Sequence, residues 1–215
     1  MWRAGIAIVA SVVVTGCGSD GSGPEIEQVV RLASAGGEGQ VWYFGNPLPM
    51  PYAVTALDSL GVPLAGVEVA WVVASGGGTV DPARTVTGAD GTARATHTLG
   101  PDGTSHSVIA SVRSGESVTF VANGLIAPTE VVVTVGNDFF SPRDAVVKVG
   151  GTVTWIWRSG GMLHNVIYTA GSSPLPAPSA TQGEGVFSTT FNRVSRFDYV
   201  CTLHAGMEAT VTVVR

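Results

Sequence analysis

Tyr199-Val200-Cys201-Thr202-Leu203-His204-Ala205-Gly206-Met207 sets a thiol, an imidazole and a thioether three residues apart. Phe197, Tyr199 and Cys201 alternate on one face of a strand, so Cys201 points inward. His204 and Met207 fall beyond that strand, on the loop returning to Thr210-Val211-Thr212-Val213. Soft sulfur suits Cu(I) while imidazole also accepts Cu(II), and a trigonal His2Cys set with a weak axial Met is how proteins hold copper for one-electron transfer. Such a set needs a second imidazole. His164, in Leu163-His164-Asn165-Val166, is the candidate, because it lies between two apolar alternating stretches and can arrive on a neighbouring strand.

Working outward, Asn137-Asp138-Phe139-Phe140-Ser141-Pro142 is followed by Val147-Lys148-Val149-Gly150-Gly151-Thr152-Val153-Thr154-Trp155, the His164-Asn165 pair, Cys201-x-x-His204-x-x-Met207 and a closing strand Ala209 to Val213. In this order they resemble the cupredoxins, particularly the plastocyanin and amicyanin branch, over roughly Glu130 to Arg215. The two residues between His204 and Met207 resemble the short-loop amicyanin form. The resemblance implies a Greek-key β-sandwich over 129–215 and one type 1 copper held by His164, Cys201, His204 and Met207. It implies that Asn165 ties the two ligand loops together. It also implies an exposed edge of His204, framed by Met162, Leu163, Leu203, Ala205 and Gly206, through which electrons pass between a redox donor and an acceptor. Gly171 to Gly183, rich in Ser, Pro and Ala, reads as an insertion without chemistry of its own.

The chain has two cysteines, Cys17 and Cys201. Cys17 has a separate fate, which leaves no disulfide partner for Cys201; coordination as a thiolate would occupy it. Met1-Trp2-Arg3 is a positive n-region and Ala4 to Val14 an apolar stretch too short to span a bilayer comfortably, so residues 1–17 read as a signal peptide. Val14-Thr15-Gly16-Cys17 resembles a bacterial lipobox, which implies acylation of Cys17 and a membrane tether without a transmembrane helix. Gly18 after the lipidated residue resembles the outer-membrane sorting pattern. The expected location is therefore exported and membrane-anchored, at the periplasmic face or the cell surface. Gly18 to Glu25 is a flexible Gly/Ser linker.

Charged residues make up only 13% of the chain, and 29 Gly and 12 Pro accompany many short Val and Thr alternations. This composition predicts an all-β protein of two β-sandwich domains. The first domain spans 26–126. Val67, Val69, Trp71 and Val73 share a strand face, with Trp71 as the core plug, and Gly76-Gly77-Gly78 and Asp90-Gly91 mark turns. Asp58 to Val67, Trp71 and Thr87 to Ala93 resemble the bacterial Ig-like domains of the invasin and intimin type, which implies a spacer. His97 and His106 lie in phase with apolar neighbours and read as structural, and Asp58, Asp81, Asp90 and Asp102 as turn aspartates.

A net charge of −5, unclustered, gives nucleic-acid binding no support. Four histidines without a His-x-His pair cannot hold the additional copper of a multicopper oxidase, and a binuclear centre needs a second Cys in the ligand loop. The expectation is a membrane-tethered blue copper electron carrier, not an enzyme, with no small-molecule substrate. A copper-storing or copper-delivering lipoprotein and a surface adhesion protein acting through the Ig-like domain remain the alternatives.

Overall fold

Small or apolar residues alternating with Thr, Ser and Arg generate strands with one buried face, and every regular element among the described residues is a strand. The computed structural model describes residues 31–215. The expected signal segment, Cys17, the linker and the first residues of the first domain lie outside the described residues.

The first nine strands are β1 (Arg31–Gly36), β2 (Gln40–Tyr43), β3 (Tyr52–Leu57), β4 (Glu68–Ser75), β5 (Gly78–Asp81), β6 (Arg84–Val86), β7 (Thr92–Leu99), β8 (Ser105–Ser111) and β9 (Ser117–Leu125). They form two sheets, ordered β1-β3-β7-β5 and β2-β9-β8-β4-β6. Their inward residues share one core, in which Tyr52 stacks on Phe120 at 4.6 Å and Trp71 is buried. Trp71 keeps its polar end satisfied by donating Nε1–H to Thr85 Oγ1 (2.7 Å).

Eight further strands follow: β10 (Glu130–Gly136), β11 (Phe139–Ser141), β12 (Asp144–Lys148), β13 (Gly151–Trp157), β14 (Ile167–Ala170), β15 (Val186–Phe191), β16 (Ser195–Val200) and β17 (Glu208–Val214). Their sheets are ordered β11-β10-β13-β15 and β12-β17-β16-β14. The pairs β10·β13 and β12·β17 run parallel and the rest antiparallel. Between the sheets lies a second core, in which the Trp155 ring meets Tyr199 edge-on at 5.4 Å and Phe191 packs on Phe197. The last residue reaches back to the first half: Arg215 N–H donates to Asn46 Oδ1 (2.9 Å).

His97 and His106 point into the first core and are fully buried, their rings edge-on at 5.8 Å. His97 Nε2 lies 3.3 Å from the Gly77 carbonyl, which can only accept, so the proton sits on Nε2. Gly76 must lack a side chain, since a Cβ there would stand 2.2 Å from His106 Nδ1. Burial holds the His97 imidazole below its ordinary pKa, with the neighbouring His106 adding to the effect. The folded first sandwich therefore binds its His97 proton less tightly than the unfolded chain does. The contribution to stability is complete above the unfolded value of about 6.5 and is lost as pH falls from there through the lower folded value. We expect the urea midpoint of this sandwich to be lower at about pH 5 than at about pH 7.5; equal midpoints would remove His97 from its acid sensitivity.

Candidate metal centre

β16 sets the phase of the site. Phe197 and Tyr199 face the core, and the next inward position, just past the strand end, is Cys201, itself buried. Its N–H donates to the Met207 carbonyl (2.9 Å), and Met207 N–H donates to His204 O (3.3 Å). This pair of bonds closes a five-residue loop, Thr202 to Gly206, before β17 begins. Met207 is buried with Cys201 in the second core, whereas His204 is about a quarter exposed.

His164 arrives on the segment between β13 and β14 and is completely buried. Its backbone exchanges two hydrogen bonds with Gln182, His164 N–H to Gln182 O (2.9 Å) and Gln182 N–H to His164 O (3.0 Å). Next to it, Ser179 N–H donates to Val166 O (3.0 Å) and Val166 N–H to Ser179 Oγ (2.8 Å). The Ser- and Pro-rich insertion thus carries no ligand, yet its end at Ser179 to Gly183 is the strap that holds the ligand-bearing backbone.

Cys201 Sγ lies 3.4 Å from His204 Nδ1 and 3.7 Å from His164 Nδ1, and the three donor atoms all fall within 4.8 Å of one another. Thiolate and imidazole bonds to a transition ion are about 2.0–2.3 Å long, so donors 120° apart around one ion stand roughly 3.5–3.7 Å from each other. The donor set therefore fits a single ion in its plane. Burial, followed by the nearby His204, holds His164 below its ordinary pKa, which leaves a neutral imidazole with a lone pair to donate.

Asn165 links the two ligand segments. Its Oδ1 accepts the Thr202 N–H (2.9 Å), and its Nδ2 donates to Thr202 Oγ1 (2.9 Å) and Thr181 Oγ1 (3.2 Å). Met162, Leu163, Leu203, Ala205 and Gly206 are exposed. Asp138, which the sequence did not single out, places Oδ1 3.7 Å from His204 Nε2. His97 and His106 lie in the other core, away from this cluster. Of the turn aspartates, Asp58 Oδ1 accepts the N–H groups of Leu60 and Val62 (2.8 Å each), and Asp90 Oδ1 that of Thr92 (3.0 Å).

Residues 127–214 match the copper binding proteins of the plastocyanin/azurin family. The match assigns the second sandwich, residues 127–214, to this family. His164, Cys201, His204 and Met207 form its type 1 copper site. Among solved structures, a reduced amicyanin variant is similar at 34% identity over 40% of this chain and 82% of that one, with a TM-score of 0.35. The purple cupredoxin from Nitrosopumilus maritimus is similar at 23% identity over 39% of this chain and 99% of that one, TM-score 0.35. Auracyanin from the photosynthetic bacterium Roseiflexus castenholzii is similar at 20% identity over 41% and 99%, TM-score 0.35. No curated protein matches the chain at a significant level. The cupredoxin match leaves the first sandwich outside it.

Replacing Asn165 by Ala should remove the acceptor of the Thr202 N–H and, because Thr202 is exposed and water can take its place, cost about 0.5–1.5 kcal/mol. Amide exchange at Thr202 should accelerate accordingly in the Asn165→Ala protein; unchanged protection would mean that the ligand loops are held without this side chain.

Proposed function

We propose that this chain is a membrane-tethered carrier of single electrons between a redox donor and an acceptor, without substrate turnover of its own. The observation that carries the reading is the approach of Cys201 Sγ to the Nδ1 atoms of both His204 and His164, at 3.4 and 3.7 Å. Bound copper supplies the one-electron couple, Cu(II)/Cu(I). The residues around it supply constancy. His164 is fixed by Gln182, Cys201 by the Met207 carbonyl, and both loops by Asn165, so the donors need not rearrange between oxidation states. Met207, buried in the same core as Cys201, would add its thioether to the set that holds copper, a soft donor that favours the reduced state.

His164 is sealed from solvent, whereas His204 is partly exposed, and Met162 (44% exposed), Leu163 (54%) and Leu203 (51%), neighbours in sequence of the two imidazoles, are open to solvent. These apolar residues, with Ala205 and Gly206 and with the Asp138 carboxylate close to His204, would suit weak, transient docking of a redox partner. The first sandwich, in this reading, is an Ig-like spacer spanning 26–126, with the copper domain at 129–215. Acyl chains on Cys17 and the Gly/Ser linker after it would set the reach from the membrane.

Loaded with Cu(II), the protein should show an intense blue thiolate-to-copper charge-transfer band that Cys201→Ala abolishes. A pale spectrum typical of nitrogen and oxygen ligands would exclude the type 1 assignment. Rapid loss of copper to a chelator during redox cycling would instead favour copper delivery.

Anchoring is tested separately by Cys17→Ser, which should release the protein from the membrane fraction. Mass spectrometry of mature wild type finding Cys17 unmodified would exclude the lipid tether.

A further inference from the structure

The β10–β11 hairpin turns on Asn137 and Asp138, between the paired residues Gly136 and Phe139. Asp138 has φ 64°, a left-handed conformation that Asp and Asn adopt more readily than other residues with a side chain. The turn is held from below by the Phe139 ring lying over Gly136, where a Cβ would come within 2.3 Å of it. The direction of the Asp138 carboxylate is thus set by a constrained backbone, and Oδ1 lies 3.7 Å from Nε2 of His204.

His204 turns Nδ1 toward Cys201 Sγ. With Nδ1 given to the metal, the ring proton resides on Nε2, the nitrogen that faces Asp138. Imidazole ligands commonly offer their second N–H to a carboxylate, which fixes the ring and makes it a stronger donor. We propose that Asp138 is a positioning residue for His204 that orients its ring and biases the copper toward Cu(II). The inference rests on the copper reading above.

At 3.7 Å the pair is too long for a direct hydrogen bond, so the carboxylate acts as a nearby charge. A negative charge beside the site stabilises the more positive oxidised state and lowers the reduction potential. Exposure limits the effect, since the Asp138 side chain is 68% accessible and its field is open to screening.

The test is voltammetry of copper-loaded wild type and Asp138→Asn at low and high salt. Asn keeps the shape and tolerates the positive φ while removing the charge. Both proteins should be blue, and the variant should favour Cu(I) about three- to tenfold more than wild type, which at 59 mV per decade is roughly 30–60 mV upward. The difference should shrink in about 1 M salt, where the screening length is about 3 Å. A blue variant with the wild-type potential at low salt overturns the role of Asp138 alone. So does a shift that is indifferent to salt and accompanied by a lower melting temperature, because that is the behaviour of a merely structural hairpin residue. A wild type without the blue band overturns the copper reading, and this inference with it.

Discussion

One carboxamide joins the halves of the metal site. Asn165 follows His164 directly and reaches Thr202, which follows Cys201, across 37 residues of chain. Behind this bond, β14 and β16 pair in register, Ile167 opposite Val200 and Tyr168 opposite Tyr199, so both ligand segments leave one ladder side by side. The aromatic layer of Trp155, Tyr168 and Tyr199 fills the space below. A sulfur and two imidazoles can then be held close together before any metal arrives, because the cost of assembling them is met by a packed sandwich rather than by the ion.

The two imidazoles are made different by their surroundings. His164 is enclosed by the strap from Ser179 to Gly183 and by its own loop, where Ser159 Oγ donates to the Met162 carbonyl (2.7 Å). His204 sits on the loop closed by the Cys201 and Met207 backbone bonds and tied to Asn165 at Thr202, and is itself partly exposed. The two therefore differ in enclosure, although both are the same residue type and both turn Nδ1 toward Cys201 Sγ.

Much of this was legible in the sequence for local reasons. The alternation of Phe197, Tyr199 and Cys201 gives the inward direction of the thiol, and a period of two survives folding unchanged. The order of Cys201, His204 and Met207 needed no tertiary information because one short loop carries all three. The supporting residues were hidden for the opposite reason. Ser179 to Gly183 has no hydrophobic period, and its value lies in backbone bonds to His164 that composition cannot display. Asn137-Asp138 could be read as a turn, but its proximity to His204 depends on where β10 and β11 stand relative to the loop before β17. His97 and His106 share the apolar phase of their strands, yet only sheet pairing brings their rings edge to edge.

The final strand has a mechanical consequence. β17 begins one residue after Met207 and ends one residue before Arg215, whose backbone is bonded to Asn46 of the first sandwich. Seven extended residues span about 23 Å. The strand is a strut whose lower end rests on one sandwich while its upper end carries the thioether, so that the metal occupies the pole remote from that contact. The donor set and the Arg215–Asn46 contact thus stand at opposite ends of one strand.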